Sequence, residues 1–158
     1  MEYSFISSHC PTATVVVAVN HNYEHCKTDF VFVSNKRKAA DFNKKENSLL
    51  ISTSNVEIEN SDIVVEYKSL INSKKFVKDN AGLMAIKMLI DFGVKKILLA
   101  GFDGYSGDYS EDYASGNRGM INNRLVAENL NTGMNEMLFE YSKTIEIEFI
   151  TETKYLFL

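Results

Sequence analysis

Short apolar runs rich in β-branched residues recur along the chain, and they constrain its fold more than any other feature. The continuous runs are residues 14–19, 30–33, 48–52, 62–65 and 96–100. Runs of this kind are typical of strands that are buried on both faces of a sheet. Residues 145–150 alternate apolar and acidic side chains instead. This alternation predicts a strand with one face open to water, toward a sheet edge.

The first predicted helix covers residues 80–92. Its apolar side chains share one broad surface and are Leu83, Met84, Ile86, Leu89, Ile90 and Phe92. Asp79 or Asn80 can cap its start, and Gly93 supplies the left-handed residue that ends it. The next apolar run follows at once, so this helix and strand form half of a βαβ unit.

The second predicted helix covers residues 119–143. Gly133 is a candidate break within it, because glycine inside a helix costs about 1 kcal/mol relative to alanine.

Strands that alternate with helices predict a doubly wound, mostly parallel, Rossmann-like α/β sheet with helices on both faces. The chain has 158 residues without an internal repeat or a linker, so we expect a single domain over residues 1–158. An eightfold α/β barrel is excluded because it needs about 250 residues.

Composition excludes several classes of protein. With 45% hydrophobic and 24% charged residues, the chain has an ordinary globular composition, which excludes disorder over its whole length. Its net charge of −4 offers no basic field to nucleic acid or to an anionic membrane. Cys10 and Cys26 are expected to be reduced and structural, which favours a cytoplasmic location.

Polar residues follow the first three predicted strands and are the first candidates for a binding site. They are Asn20, His21, Asn22, Ser34, Asn35, Thr53, Ser54 and Asn55. Ligands of open parallel sheets bind beyond the carboxyl ends of the strands, where the strand order reverses, so this convergence favours a site there. The alternative is that Asn and Ser simply form turns at strand ends.

The segment from Gly101 to Tyr113 follows the strongest predicted strand. Glycines at positions 101, 104 and 107 let the backbone approach a ligand closely, although they match neither the dinucleotide fingerprint nor the phosphate loop. Tyrosines at 105, 109 and 113 suit a base, a sugar or a phosphate, or they pack against the sheet. The acidic residues of this segment do not have the spacing of a calcium-binding loop. We therefore favour the interpretation that the segment is an acidic loop exposed to solvent.

The predicted helix start at Asn80, Ala81 and Gly82 is a second candidate element. Small residues there leave backbone N–H groups and the positive end of the helix dipole open to an anion, or they pack closely on the sheet. We expect Gly82→Val to block the approach of a ligand while leaving the fold largely intact. His21 and His25 lack a third and fourth ligand, so no metal site is expected.

Residues 79–84 (DNAGLM) and 93–106 (GVKKILLAGFDGYS) carry a resemblance to a known family. There the chain resembles the C-terminal domain of bacterial 4-hydroxy-2-oxovalerate aldolase-like proteins. It is more distantly similar to bacterial sialyltransferases that use a CMP-activated sugar and to motility-associated glycosyltransferase-like proteins. The resemblance implies a sialyltransferase-like domain with a CMP-like ligand near Asn20, Asn35, residues 80–82 and the 101–105 loop.

The resemblance also implies residue roles. Tyr105, with Tyr109 or Tyr113, would stand where the sialyltransferases use tyrosines against the leaving phosphate. The histidine base that those enzymes place after this loop has no counterpart, because no histidine follows His25. We therefore expect the isolated chain not to be catalytic, although its parent protein would be a lyase or aldolase.

The predicted ligand-binding residues are Asn20, Asn35, Asn80, Ala81, Gly82, Gly101, Asp103, Gly104, Tyr105, Tyr109 and Tyr113. No metal or cofactor is expected, and catalytic residues are unassigned. The expected function is binding of a nucleotide, nucleotide sugar or small anion by an accessory domain of an aldolase-type or carbohydrate-related bacterial protein. The alternatives are an active glycosyltransferase that uses a CMP-activated sugar and a non-catalytic module for assembly or regulation. Expected partners are a small molecule, a second copy of the chain or an aldolase-type barrel.

The beginning of the chain suggests an incomplete domain. A doubly wound unit normally opens with a strand and a phosphate-binding loop, and nothing of that kind precedes Val15. We expect the chain to be a fragment that lacks this strand, which would leave one edge of residues 15–19 unpaired. Such an apolar edge favours self-association unless another segment, such as residues 155–158, covers it.

Overall fold

The computed structural model describes residues 14–21, 27–40, 42, 48–107 and 123–156. The chain divides into two compact units, Met1–Ile71 and Asn72–Leu158, and each is described by itself. The single domain expected from the sequence stays a prediction. No helix within the described ranges combines the length and the apolar character needed to cross a membrane.

The first unit contains a four-stranded parallel sheet with two short helices. Its elements in chain order are β1 (Val17–Val19), β2 (Phe30–Val33), α1 (Lys36–Ala40), β3 (Leu49–Thr53), β4 (Ile63–Val65) and α2 (Tyr67–Leu70). The strands lie in the order β1-β2-β3-β4, and every neighbouring pair is parallel. All four carboxyl ends therefore meet at the same edge of the sheet.

The core of this unit explains why the apolar runs became strands. Its buried members are Ala18, Val31, Val33 and Leu50, with Ala39, Phe42 and Ile58 packed against them. β2 and β3 are buried along most of their length, as their apolar runs predict. The same prediction is wrong for β4, where Val64 is 63% exposed. Among the described strands, β4 pairs only with β3, and an outer strand has fewer neighbours to cover it.

The second unit contains a parallel pair of strands packed with two helices. Its elements are a 3₁₀ turn (Lys75–Val77), α3 (Ala81–Asp91), β5 (Lys96–Leu99), α4 (Arg124–Ser142) and β6 (Glu146–Phe149). The largest buried side chains of its core come from both helices and include Leu83, Ile86 and Leu138. Glu146 and Glu148 on β6 are exposed while Ile147 and Phe149 are half-buried, which confirms the predicted alternation.

Helix α3 has the ends that its sequence predicts. The Asn80 side-chain oxygen accepts a hydrogen bond from the Leu83 N–H at 3.1 Å and caps the start. At the other end Gly93 adopts a φ of 81°, and the Val94 N–H donates to the Leu89 carbonyl. One apolar assignment is wrong, because Phe92 is the C-cap residue and is 58% exposed.

Helix α4 runs through Gly133 without a break, contrary to the prediction. A Cβ atom at Gly133 would lie 3.1 Å from a methyl group of Val77 in the 3₁₀ turn. The glycine therefore lets the turn approach the helix closely, and this packing offsets its low helix propensity. Residues 119–122 of the predicted helix lie outside the described residues.

Parallel strands alternating with helices confirm the Rossmann-like α/β class. The prediction that a first strand is missing falls on residues 1–13, which lie outside the described ranges, so it stays a prediction.

Candidate functional site

The carboxyl ends of β1 and β2 are joined through Asn20. Its backbone N–H donates to the Phe32 carbonyl at 2.8 Å, and its side-chain oxygen accepts from the Ser34 N–H at 3.2 Å. Asn20 adopts a φ of 56°. Asn tolerates this left-handed conformation better than most residues, so its side chain can turn back toward β2.

Asn55 joins the carboxyl ends of β2 and β3 in the same way. Its side-chain N–H donates to the Ser34 carbonyl at 3.3 Å, and its side-chain oxygen accepts from the Thr53 hydroxyl at 2.6 Å. The Val56 N–H donates to the Thr53 carbonyl and closes a turn around Asn55. We refer to Asn20, Ser34, Thr53 and Asn55 as the strand-end network.

Ser34 lies at the centre of the strand-end network and is 5% exposed. Its backbone N–H and carbonyl are both bonded to network amides. Its hydroxyl oxygen is buried and has no hydrogen-bond partner among the residues that the structure describes. The great majority of buried polar groups in folded proteins have a hydrogen-bond partner, so this unpaired hydroxyl is unusual.

An open groove adjoins the strand-end network at Asn55. Its volume is about 270 Å³, and its lining consists of Lys36, Ala39, Asn55, Val56 and Glu57. Lys36 and Ala39 come from α1, and the other three follow β3. Neither Lys36 nor Glu57 forms an ion pair within the described part of the chain, so both charges are available to a ligand.

Two other strand-end residues form turns, as the alternative interpretation holds. The Asn35 side-chain oxygen accepts from the Arg37 N–H at 2.9 Å, and its carbonyl accepts from the Ala39 N–H. The Ser54 hydroxyl oxygen accepts from the Tyr67 N–H at 3.0 Å. Asn35 thus caps the start of α1, whereas Ser54 is bonded to the first residue of α2, and ligand contact by Asn35 stays a prediction.

In the second unit, the three glycines of the loop after β5 share a positive φ, and their close approach to a ligand stays a prediction. Gly101, Gly104 and Gly107 have φ values of 73°, 94° and 84°, which side chains other than glycine rarely adopt. Tyr105 in this loop is bonded on both sides of its backbone to Asn131 of α4. Its N–H donates to the Asn131 side-chain oxygen, its carbonyl accepts from the Asn131 side-chain N–H, and both distances are 2.8 Å.

This loop also meets the start of α3, as the sequence predicts. The Asn80 side-chain N–H donates to the Tyr105 hydroxyl at 3.4 Å. A Cβ atom at Gly82 would lie 2.8 Å from the Phe102 ring, so Gly82 leaves room for that ring. A valine at this position would require the Phe102 ring to shift, and the expected block of a ligand by Gly82→Val stays a prediction. Ala81 is the first residue of α3.

The same loop is held from its other side by residues 151–155. The Thr153 hydroxyl donates to the Phe102 carbonyl at 2.6 Å, and the Lys154 N–H donates to the Asp103 carbonyl at 3.1 Å. The Thr151 hydroxyl donates to the Asp103 carboxylate at 3.3 Å. The predicted residues Gly101, Asp103, Gly104 and Tyr105 therefore lie in a loop that is largely bonded to its own chain.

Two ionisable groups have shifted pKa values, and both lie in the second unit. Burial raises the pKa of the Tyr141 phenol to about 12, and the Asp91 carboxylate adds to the shift. The Tyr141 hydroxyl donates to the side-chain oxygen of buried Asn72. Hydrogen bonds to the Glu146 and Glu148 carboxylates raise the pKa of Lys96 to about 12. The Tyr141 hydrogen bond joins two buried residues, whereas the Lys96 ion pairs are exposed and link β5 to β6.

Several predicted site residues cannot be placed. Tyr109 and Tyr113 lie outside the described residues, as do Asn22 and His25. Within the ranges that are described, no three His, Cys, Asp or Glu side chains lie close enough to hold a metal ion.

Sequence reasoning missed the charged members of the groove and Asn131. Lys36 and Glu57 follow the strand ends by a few residues, so a longer candidate list at each strand end would have included them. Asn131 lies 26 residues from Tyr105 in the chain, and no local pattern connects the two.

Comparison with protein-family models, with curated proteins and with solved structures finds no match for this chain. The resemblance to aldolase-associated domains and sialyltransferases therefore stays an expectation.

Proposed function

We propose that this chain is a binding domain for a small phosphorylated ligand of the nucleotide or nucleotide-sugar type. The ligand would bind in the groove beside the strand-end network of the first unit. The observation that carries the proposal is the position of this groove. It lies at the carboxyl ends of a parallel sheet, where open α/β folds bind their ligands, and it contains an unpaired cation, Lys36.

The chemistry of the lining supports an anionic ligand with a polar body. The Lys36 ammonium can bind a phosphate through charge-assisted hydrogen bonds. Asn55 is held on both sides by Ser34 and Thr53, so its amide is already oriented before a ligand arrives. Ala39 and Val56 supply apolar surface to the same groove.

The wider assignment follows from the resemblance. We propose that the ligand is CMP or a CMP-activated sugar and that the domain serves an aldolase-type or carbohydrate-related bacterial protein in the cytoplasm. The absence of any histidine after His25 supports binding without sugar transfer. The loop after β5 and the start of α3, both in the second unit, remain predicted ligand contacts apart from this groove.

The experiment measures binding by titration calorimetry and by thermal shift. Wild-type protein is titrated with CMP, a CMP-sugar, a UDP-sugar and inorganic phosphate. Lys36→Gln removes the groove cation, and Arg37→Gln is the matched control because it makes the same charge change at the next residue of α1, outside the groove lining. We expect Lys36→Gln to weaken binding by about tenfold, the equivalent of 1.4 kcal/mol, and Arg37→Gln to change it by less than about threefold.

Two results would contradict the proposal. If wild-type protein binds none of the four compounds, the binding function is wrong. If Lys36→Gln and Arg37→Gln weaken binding equally, the phosphate does not bind in the groove and its assigned position is wrong.

A further inference from the structure

The groove of the first unit contains a carboxylate, a hydrogen-bond acceptor that does not help to bind an anion without hydroxyl groups. Glu57 lines it together with Lys36, and the structure gives neither side chain a partner among the described residues. A carboxylate only accepts hydrogen bonds, and it repels phosphate. It therefore disfavours an anion alone and favours a ligand that carries hydroxyl donors beside its charge.

The backbone around Glu57 is anchored on both sides. Val56 is 5% exposed, and its N–H donates to the Thr53 carbonyl at 2.9 Å. Ile58 packs against the core of the unit, and its carbonyl accepts from the Ser61 hydroxyl at 3.0 Å. Glu57 thus begins from a defined backbone position, which lowers the entropy cost of orienting its carboxylate toward a ligand.

The size of the groove restricts what it can hold. Its volume of about 270 Å³ is below the roughly 300–1,000 Å³ of pockets that enclose a drug-sized ligand. One sugar ring with its phosphate fits such a volume better than a whole nucleotide sugar. Ala39 and Val56 provide apolar surface for the C–H face of a sugar ring.

We infer, on the basis of the proposed function, that the groove recognises the ribose of a ribonucleotide through its vicinal hydroxyls. The Glu57 carboxylate accepts hydrogen bonds from the 2′- and 3′-hydroxyls, and Lys36 binds the phosphate. Hydrogen bonds from hydroxyls to a carboxylate are among the strong ones, so removing the diol has a measurable effect.

The test compares CMP with 2′,3′-dideoxy-CMP, which differs only in lacking both hydroxyls. We expect wild-type protein to bind CMP about tenfold more tightly or better. Glu57→Ala should reduce this preference to about twofold or less without weakening the binding of dideoxy-CMP. Glu59→Ala is the matched control, because Glu59 is exposed, lies on the same connection and does not line the groove. It should keep the full preference.

The outcomes separate this inference from the proposed function. Equal binding of CMP and dideoxy-CMP by wild-type protein, with Lys36→Gln weakening both, leaves the proposed function standing and overturns the diol inference. A Glu57→Ala protein that retains the preference also overturns it. Absence of binding by either nucleotide, by the CMP-sugar, by the UDP-sugar and by phosphate overturns the proposed function itself.

Discussion

The two units differ in how they use the residues that follow their strands. In the first unit, the strand-end network leaves the Ser34 hydroxyl without a partner among the described residues and borders a groove with two unpaired charges. In the second unit, the loop after β5 is bonded to α4 through Asn131 and to residues 151–155. The first arrangement leaves these groups unpaired among the described residues, whereas the loop after β5 uses most of its polar groups internally.

This difference shows that residue types alone do not locate a site. Glycines and tyrosines make the loop after β5 the most conspicuous candidate in the sequence, but the same residues also build a tight loop against neighbouring elements. The asparagines and serines after β1–β3 are less conspicuous. The loop after β5 and the groove differ instead in how many of their polar groups have partners among the described residues. A buried group without such a partner occurs in each unit, the Ser34 hydroxyl and the Asn135 side-chain oxygen.

Asn131→Ala is the strongest test of the idea that the second unit uses its loop polar groups internally. The change removes the side chain that bonds to the N–H and the carbonyl of Tyr105 and to the Tyr155 hydroxyl, so we expect the free energy of unfolding to fall by about 2–3 kcal/mol. Denaturant titration followed by circular dichroism measures this. Asn129→Ala, on the same helix, should be neutral or slightly stabilising because alanine has the higher helix propensity. Equal effects of the two substitutions would mean that Asn131 does not hold the loop.

Tyr141→Phe tests a buried hydrogen bond in the core of the same unit. It leaves the side-chain oxygen of buried Asn72 without the Tyr141 donor, and we expect a loss of about 2 kcal/mol at pH 8. Folding raises the pKa of Tyr141 to about 12, so the neutral phenol stabilises the fold fully at any pH below the pKa that it has in the unfolded chain. That value is about 10, so the contribution is lost as the pH rises from there through the folded pKa.

The pH dependence provides the control for that experiment. The difference in unfolding free energy between wild-type protein and Tyr141→Phe should shrink between pH 10 and the folded pKa of about 12. Other groups titrate in both proteins, so their effects cancel in the difference. A difference that stays constant over this range would show that burial does not shift the phenol.

The smallest expected effects on the free energy of unfolding come from replacing two buried serines, which lie at opposite ends of the first sheet. The Ser48 hydroxyl donates to the Thr28 carbonyl at 2.9 Å, so Ser48→Ala should cost about 1 kcal/mol. Ser34→Ala removes a hydroxyl with no partner in the described structure, so it should change the free energy of unfolding by less than about 0.5 kcal/mol. If Ser34→Ala costs as much as Ser48→Ala, the Ser34 hydroxyl has a structural role and the contrast between the two units weakens.

Much of the fold could be predicted from the sequence, because the relevant signals are local. The five apolar runs and the alternating segment locate the six described strands, and β2 coincides with its predicted range, residues 30–33. The cap at Asn80 and the left-handed Gly93 define the ends of α3 through contacts with residues only a few positions away. The predicted approach of residues 80–82 to the 101–105 loop is present as well, through the Asn80–Tyr105 hydrogen bond.

The sequence by itself determined the strands, the ends of α3 and the class of fold, because backbone conformation and hydrophobic periodicity depend on near neighbours. Only the tertiary structure decided which polar groups are left for a ligand. Tyr105 meets Asn131 across 26 residues, and Tyr141 meets Asn72 across 69. Gly133 leaves room for Val77 to pack against the helix, although the low helix propensity of glycine alone predicted a break. A side chain's partners depend on contacts between distant segments, and these form only when the elements pack together.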